Sequence, residues 1–335
     1  MDKAYVNVIR GDIVESRHAV TVAVANSAGR LLAYAGEPDT VTYMRSAAKP
    51  LQAMNVILSG AADRFGFTDK ELAVMCGSHY GEDFHREAVL SILNKIGMRA
   101  SDLRCPAQYS ISSAYRRKQL YERLPIDETN SDCSGKHAGF LAVCRMKGYS
   151  TVDYDSKLHP MQREVLDIIA GMCSVDRSDI ITGVDGCGVP VHALSVKAMA
   201  AGFARLANPA GLDDDYALSS GRIFAAMNSA PEMVAGTGGF CTELMKNTHG
   251  KLCAKLGAEG VYCVGLKNRN IGIAIKIEDG GSRALHAAVM RVLSELGALN
   301  AGELKALESF CEEPNINRHG VRVGSVKADF GLRFV

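Results

Sequence analysis

The sequence predicts an α+β fold in which both ends of the chain contribute to one antiparallel sheet and a large helical region lies between them. Segments with strand character occur before about residue 45 and again after about residue 250. Between these two regions, apolar residues recur mainly at helical spacing. This order of strands, a long helical block, further strands and a helix argues against alternating β-α-β units.

The sheet region begins with predicted strands at Tyr5–Arg10, Ala19–Ala25 and Arg30–Ala35. The second of them reads AVTVAVA, a composition that is typical of strands. The second and third strands are separated by Asn26-Ser27-Ala28-Gly29, whose residue types favour a turn. We therefore expect a hairpin near the start of the chain.

The middle of the chain contains segments whose apolar residues are spaced as on one face of a helix. These predicted helices are Glu87–Ile96, Ala138–Met146, Met161–Met172 and Val191–Leu206. Residues that interrupt helices fall between them, and we expect loops at Pro106, Pro125 and Gly183.

Strand character returns at Leu252–Leu256, Val261–Leu266 and Ile271–Ile277, and a helix is predicted at Leu285–Leu296. The segment Ile271–Ile277 alternates strictly, as expected for a strand with one buried face. We interpret residues 1–335 as a single catalytic unit. Its sheet region covers about residues 1–45 and 250–335, and its helical region covers about residues 46–249.

The composition argues against several classes of function. The chain has 335 residues, 47% of them hydrophobic, and a net charge of +1, so we expect no nucleic-acid partner and no membrane partner. No apolar run reaches the ~18 residues that a membrane span needs, and the first residues lack the features of a signal peptide. The ten cysteines include no C-x-x-C pair. These features predict a cytoplasmic protein with reduced thiols.

Ser46-Ala47-Ala48-Lys49 places a hydroxyl and an amine three residues apart, which is about one helical turn. A serine needs a base within hydrogen-bond reach to become a good nucleophile. A lysine that is desolvated or crowded by another cation can supply that base. The pattern is short, and a helix start with a solvated lysine explains it equally well.

Cys76-Gly77-Ser78-His79 contains a second candidate nucleophile, Ser78. Adjacent side chains in a chain point apart, so we do not expect His79 to be its base. A capped turn between helices is the alternative interpretation. Farther along, Gly236-Thr237-Gly238-Gly239 lacks the ending of a phosphate-binding loop and favours close approach of the backbone to a small ligand.

Two segments combine thiols with other metal-binding groups. The first is Asp132-Cys133-Ser134-Gly135-Lys136-His137, at the predicted start of a helix, and the second is Asp185-Gly186-Cys187-Gly188-Val189-Pro190. Two thiols from separate loops, with a nitrogen or oxygen ligand, could form a zinc site that has an open position. Ser134 could equally be only a helix cap.

Lys255-Leu256-Gly257 lies on the first of the returning strands. A lysine followed by small residues is similar to the K-T-G element of serine β-lactamases. In that architecture an S-x-x-K motif opens the helical block and the lysine-glycine strand closes it. Ser46-x-x-Lys49 and Lys255 occur here in the same order.

Taken together, these motifs resemble the Rhizobium-type (class 3) L-asparaginases, which are related in fold to serine glutaminases and β-lactamases. The resemblance spans most of the chain. It rests on MRSAAKPLQA at residues 44–53, CGSH at 76–79, CSGKH at 133–137, DGCGVP at 185–190 and KLGAEG at 255–260.

The resemblance implies a homodimeric cytoplasmic enzyme that hydrolyses L-asparagine to L-aspartate and ammonia. It implies catalytic pairs of Ser46 with Lys49 and of Ser78 with Lys255. It further implies a zinc ion that is not essential to the chemistry. It also implies residues that bind the substrate or lie next to those that do. The zinc would be held by Cys133, Lys136 and Cys187, and the substrate-binding candidates are Arg45, His137 and Asp185.

The sequence leaves several alternatives open. Either Ser46 or Ser78 could attack, and we favour Ser46 because its lysine is close by local geometry. We also expect backbone N–H groups near the attacking serine to stabilise the oxyanion. The rival functions are a glutaminase-type amidase, a β-lactam-binding serine protein and a non-catalytic metal-binding protein.

Overall fold

The structure, a computed structural model, describes residues 4–335. Its strands are β1 Ala4–Arg10, β2 Ile13–Ala25, β3 Leu31–Ala35, β4 Val41–Tyr43, β5 Ile181–Val184, β6 Pro190–Ser195, β7 Leu252–Gly257, β8 Val261–Leu266, β9 Ile271–Ile277, β10 Glu313–Ile316, β11 Arg322–Asp329 and β12 Arg333–Phe334. Its helices are α1 Lys49–Leu58, α2 Ala61–Arg64, α3 Asp69–Met75, α4 Asp83–Lys95, α5 Ser113–Glu122, α6 Ser134–Lys147, α7 Pro160–Cys173, α8 Val196–Ala207, α9 Asp214–Ser229, α10 Phe240–Thr248, α11 Leu285–Glu295, α12 Ala301–Ala306 and α13 Glu308–Cys311.

The chain divides into two compact units. The sheet unit comprises the described residues up to Ala47 together with Leu194–Asn208 and Glu243–Val335. The helical unit comprises Ala48–Ala193 and Pro209–Thr242. The segment Leu194–Asn208, which our division by sequence assigns to the helical region, therefore belongs to the sheet unit.

The sheet unit is built around one antiparallel sheet whose strands come from both ends of the chain. Its order is β10-β11-β1-β2-β9-β8-β7, and β3 pairs with both β2 and β12. The long strand β2 joins the two ends, because it pairs with β1 over its first part and with β9 over its last part. Helices α8 and α11 pack on strands of this sheet. The predicted antiparallel sheet built from both chain ends is confirmed.

The helical unit is centred on α1, which packs against α6, α7 and α9. Pro50 near its start suits a first helical turn, where the missing N–H group is no loss. The residues of α1 from Lys49 to Ile57 are all buried, so the helix has no solvated face. The first residue of this central helix is thus a lysine without access to bulk water.

The predicted helix at Val191–Leu206 is wrong in its first part. Pro190–Ser195 forms strand β6, which pairs antiparallel with β5, and the helix begins only at Val196. The side chain of Ser195 accepts a hydrogen bond from the N–H group of Ala198 and so caps this helix. Because apolar residues lie on both sides of Ser195, the sequence pattern did not separate the strand from the helix.

Within residues 4–335, no helix is both long enough and apolar enough to cross a membrane.

Candidate active site

The ammonium group of Lys49 lies at the first turn of α1 among three oxygen atoms. Its Nζ is 2.7 Å from the carbonyl oxygen of Gly77, 3.0 Å from Ser78 Oγ and 3.1 Å from the carbonyl oxygen of Asp132. Lys49 is only 1% exposed. The amine is therefore enclosed by protein oxygen atoms rather than by bulk water.

This arrangement fits the amine in both of its protonation states. A neutral amine has two N–H groups and one lone pair. The carbonyls of Gly77 and Asp132 can only accept, so they take the two N–H groups and leave the lone pair facing the Ser78 hydroxyl. A protonated amine donates to all three oxygens, and the Asp132 carboxylate, 3.7 Å away, stabilises its charge. These contacts hold the Lys49 amine beside the Ser78 hydroxyl.

The backbone around Ser78 is held by hydrogen bonds of its own. The N–H groups of Ser78, His79 and Tyr80 donate to the carbonyl oxygens of Val234, Asp132 and Ala235, at 2.9, 3.3 and 2.8 Å. An oxyanion hole needs donors aimed at the developing charge. Our expectation of backbone donors near the attacking serine is therefore not met by these three groups around Ser78.

Both ring nitrogens of His79 have hydrogen-bond partners that hold the local structure. The N–H group of Gly81 donates to Nδ1 of His79 at 3.1 Å, so the ring proton lies on Nε2. Nε2 is 2.9 Å from Ser134 Oγ, and that hydroxyl donates to the carbonyl oxygen of Thr129 at 3.0 Å. Both ring nitrogens are thus engaged in a neutral histidine, which agrees with the expectation that His79 is not the base for Ser78.

The start of α6 and the turn between β5 and β6 bring two thiols and an amine together. Cys133 and Lys136 lie one turn apart, and Lys136 Nζ is 2.9 Å from Cys187 Sγ. A hydrogen bond from the Cys133 thiol, together with the charge of Lys136, lowers the pKa of Cys187 well below its usual range, although burial opposes this. The same hydrogen bond and burial raise the pKa of Cys133. Of the two thiols in this cluster of Cys133, Lys136 and Cys187, the one of Cys187 therefore loses its proton more readily.

Asp132 connects this cluster with the serine and lysine. Its carboxylate lies 3.7 Å from both Lys49 Nζ and Cys133 Sγ, and its other oxygen accepts a hydrogen bond from Gln108 Nε2 at 2.7 Å. Sequence reasoning placed Asp132 in a motif but gave it no role. Its position directly before Cys133 indicated that it lies near the predicted zinc site. Its contact with Lys49 depends on tertiary packing, which the sequence does not show.

Gly135 allows α6 to approach the end of α3 closely. A Cβ atom at this position would lie 2.3 Å from the carbonyl oxygen of Val74, which is far inside contact distance. This approach sets the first turn of α6, with Cys133 and Lys136, against the segment that leads to Ser78.

His137 and Asp185, two of the predicted substrate-binding residues, lie beside the thiol cluster. His137 is fully buried, and its Nδ1 is 2.8 Å from the hydroxyl of Tyr154. Burial lowers the pKa of His137, although a hydrogen bond with Cys187 opposes the shift. Asp185 is half-buried in the turn that carries Cys187, and its carboxylate accepts the N–H group of Gly186. Their substrate-binding role stays a prediction.

The sheet unit carries Arg45, Ser46 and Lys255. Lys255 on β7 is fully buried, and its Nζ donates to the carbonyl oxygen of Leu256 at 2.8 Å. At the end of β7, a Cβ atom on Gly257 would lie 2.6 Å from the carbonyl oxygen of Met44. The glycine therefore allows the turn that contains Ser46 to lie against the strand that carries Lys255.

The backbone just before Ser46 adopts an uncommon conformation. Arg45 has a φ of 50°, in the left-handed region that residues other than glycine rarely occupy. Its guanidinium lies 4.0 Å from the carboxylate of Glu259. Ser46 follows in a short 3-10 helix, Arg45–Ala48, and is half-buried, whereas Ser78 is 2% exposed. Strained backbone of this kind is concentrated at functional sites.

The glycine-rich loop at 236–239 does not leave its backbone open to a ligand in the way we expected. A Cβ atom on Gly236 would lie 2.4 Å from the ring of Tyr80, and one on Gly239 would lie 2.7 Å from its hydroxyl. The N–H group of Thr237 donates to the carboxylate of Glu82 at 2.9 Å. These glycines thus make room for a tyrosine side chain.

The thiol cluster, which consists of Cys133, Lys136 and Cys187, offers three ligands to zinc only if Lys136 is one of them. Within residues 4–335, no group of three or more His, Cys, Asp and Glu side chains is arranged to hold a metal ion. Cys133, Cys187 and Lys136 offer two sulfurs and one nitrogen, which is a donor set of the kind that zinc accepts. The amine is already 2.9 Å from one of the sulfurs. These residues therefore fit the ion by chemistry, provided that the amine gives up its proton.

A family model described as L-asparaginase II matches residues 6–328, nearly the whole chain. The chain belongs to this L-asparaginase family. Its family membership, predicted from the motifs, is confirmed.

The chain is also similar to solved structures of a protein called Mglu. A native form in 4.3 M NaCl has 17% sequence identity and a TM-score of 0.38, with 84% of this chain and 61% of that chain covered. An L-glutamate binding form has 16% identity and the same TM-score, with 83% and 59% covered. This chain thus spans about three fifths of the length of those chains. Among proteins with curated descriptions, none matches.

Proposed function

We propose that this amidohydrolase hydrolyses L-asparagine to L-aspartate and ammonia through a serine ester. The observation that carries the serine–lysine mechanism is the buried contact between Lys49 Nζ and Ser78 Oγ, with two carbonyl oxygens holding the amine. A buried amine that contacts a serine hydroxyl supports proton transfer between the two groups, which a serine nucleophile needs for its activation.

Ser46 is the proposed nucleophile. It is half-buried, it follows the strained residue Arg45, and its turn lies against the end of β7. Ser78 is a weaker candidate, because it is 2% exposed and the N–H groups around it are already bonded to carbonyls. We therefore assign Ser78 to proton transfer and Ser46 to attack.

Lys49 is the proposed base. It follows Ser46 by three residues in the sequence and contacts Ser78, and we propose that it takes the proton of Ser46. In the first step Ser46 Oγ bonds to the side-chain amide carbon while the amine takes the proton. The carbon–nitrogen bond then breaks, and ammonia leaves with that proton. Water then attacks the ester carbon and loses a proton to Lys49. The bond between that carbon and Ser46 Oγ breaks, Ser46 Oγ takes the proton back from Lys49, and L-aspartate is released.

We propose that the amine of Lys255 also takes part in the reaction, as a charged group near the serine nucleophile. Its complete burial and its position on the strand beside the Ser46 turn support a role in setting the charge around Ser46. A catalytic pair of Lys255 with Ser78 stays a prediction. We also propose that the enzyme is a cytoplasmic homodimer.

Zinc is proposed as an aid to substrate binding, held by Cys133, Lys136 and Cys187. When bound, it would supply positive charge next to Asp185 and His137, where the amino-acid end of the substrate would be oriented. Asp132 links this cluster to Lys49, which supports a role in positioning rather than in bond breaking.

Ammonia release from L-asparagine, with L-glutamine and a labelled β-lactam tested in parallel, examines the proposed activity. We expect rapid release from L-asparagine and slower release from L-glutamine. A preference for L-glutamine would identify a glutaminase-type amidase, and stable acylation by the β-lactam without turnover would identify a β-lactam-binding protein. No release from either amide would contradict the proposal.

A further inference from the structure

Two residues that line a cleft in the helical unit each carry a buried polar atom that has no hydrogen-bond partner among residues 4–335. The cleft has a volume of about 460 Å³ and is lined by side chains of α7 and of the β5–β6 hairpin. Gln162 Oε1 and His192 Nε2 are both buried, and neither has a hydrogen-bond partner within the described part of the chain. Both residues are 2% exposed and both line the cleft. Buried polar atoms are nearly always paired, so two orphans in one cleft indicate a missing partner.

Of the two unpartnered atoms, Gln162 Oε1 is a hydrogen-bond acceptor and His192 Nε2 is a donor. Gln162 donates through its Nε2 to the carbonyl oxygen of Tyr154 at 2.8 Å, which fixes the amide and leaves Oε1 as an acceptor. Thr182 faces His192 across the hairpin, and its hydroxyl lies 3.5 Å from His192 Nδ1. With Nδ1 accepting from that hydroxyl, Nε2 carries the proton and is a donor. Burial lowers the pKa of His192 to about 4, so the ring is neutral near pH 7.

The rim of the cleft is cationic. Lys157, Arg163 and Arg177 line it, and no acidic side chain does. Arg177 is paired with Asp167 at 2.7 Å. Among residues 4–335, neither Lys157 nor Arg163 forms an ion pair. The rim therefore favours an anion.

We propose that this cleft binds a small carboxylate that carries a hydrogen-bond donor on the neighbouring carbon, an α-amino acid being the preferred ligand. The carboxylate would be placed near Lys157 and Arg163 and would accept from His192 Nε2. The ammonium group would donate to Gln162 Oε1. A 2-hydroxy acid offers the same pattern with a hydroxyl, and a plain dicarboxylate lacks the donor. This binding site is separate from the residues of the proposed reaction and does not depend on it.

The test follows the imidazole resonances of His192 by NMR in the full-length protein, with assignment from their loss in His192→Phe. L-aspartate, L-malate and succinate are added up to about 10 mM, a range that detects millimolar binding. We expect saturable shifts with L-aspartate and L-malate, and binding of succinate that is weaker by about tenfold or more, because Gln162 Oε1 then stays unpaired.

Variants separate the two halves of the site. Gln162→Met should abolish the preference for L-aspartate over succinate, and the double variant Lys157→Gln, Arg163→Gln should weaken all three ligands. The rim variant alters only exposed side chains, so it remains informative if Gln162→Met fails to fold. Lys118→Gln, an exposed cation outside the cleft, is the control and should change nothing. The absence of any shift of His192, or equal binding of all three ligands, would overturn the proposal in favour of an ordered water molecule.

Discussion

The amine of Lys49 lies 3.0 Å from the hydroxyl of Ser78, 29 residues farther along the chain. The sequence paired this lysine with Ser46, its neighbour by one turn. The structure instead makes Ser78 a hydrogen-bond partner of Lys49. Two carbonyl oxygens orient the amine so that a lone pair can face that hydroxyl.

Replacing the amine should abolish the proposed base. We expect Lys49→Met to lower kcat by about 10²–10⁴-fold, the usual contribution of a general base. It should also cost about 1–3 kcal/mol of stability, because the carbonyl of Gly77 loses the amine as its partner, whereas the carbonyl of Asp132 keeps the N–H group of His79. Steady-state kinetics and denaturant unfolding measure the two effects. A variant that folds and keeps most of its kcat would contradict the role of Lys49.

Gly135 should be intolerant of even the smallest side chain. A Cβ atom would lie 2.3 Å from the carbonyl oxygen of Val74, so Gly135→Ala must push α6 away from α3. We expect a loss of about 1–3 kcal/mol in unfolding free energy and a lower kcat/KM. Gly171→Ala is the matched control, since its Cβ atom would meet nothing closer than 3.8 Å and alanine favours a helix interior. Equal stability of the two variants would show that the close approach is unimportant.

His85 should make stability depend on pH. It is completely buried, and burial lowers its pKa from 6.5 to about 4. The unfolded chain therefore binds a proton at a higher pH than the folded protein does. This contribution to stability is fully present above about pH 6.5 and is lost as the pH falls toward 4, by up to about 3 kcal/mol.

The variant His85→Gln removes this titration. We expect it to be less stable than the natural protein at pH 7, because the ring bonds to Glu82 N–H and to the carbonyl oxygen of Glu232. The difference in unfolding free energy should shrink as the pH is lowered to about 4.5. A difference that is the same at both pH values would mean that His85 does not titrate in this range.

Removing the proposed zinc should affect binding more than chemistry. Cys187→Ser, or treatment with a chelator, should raise KM for L-asparagine and largely spare kcat, because the ion is proposed to orient substrate. Elemental analysis of the protein before and after treatment measures the metal directly. Zinc that stays bound in Cys187→Ser would rule out this ligand set. A collapse of kcat with unchanged KM would instead indicate a metal-activated water.

The antiparallel sheet was predictable because its strands carry their pattern locally. The alternation in Ile271–Ile277 identified a strand, but it did not show that both faces are covered. Gly272 and Ala274 occupy the second face, and a Cβ atom on Gly272 would lie 1.8 Å from the carbonyl oxygen of Ala200 in α8. Small residues at alternate positions of a strand can therefore indicate a face on which a helix packs closely, and not only a face that is exposed to solvent.

The candidate site was predictable in its residue types and less so in its pairings. The motifs identified Lys49, Cys133, Lys136 and Cys187, and the structure brings the last two within 2.9 Å. The contact of Lys49 with Ser78 and the bridging position of Asp132 arise from the packing of α1, α3 and α6. No local spacing encodes such contacts, so the sequence could not supply them.

Identification of the acylated serine tests the central claim most directly. The reaction with L-asparagine is quenched in acid, and the ester is located by mass spectrometry of tryptic peptides. Trypsin cuts after Arg45 and after Lys70, so Ser46 and Ser78 fall in different peptides. We predict an adduct on the peptide that contains Ser46, lost in Ser46→Ala and retained, with slower formation, in Ser78→Ala. An adduct on the Ser78 peptide that survives in Ser46→Ala would contradict the account.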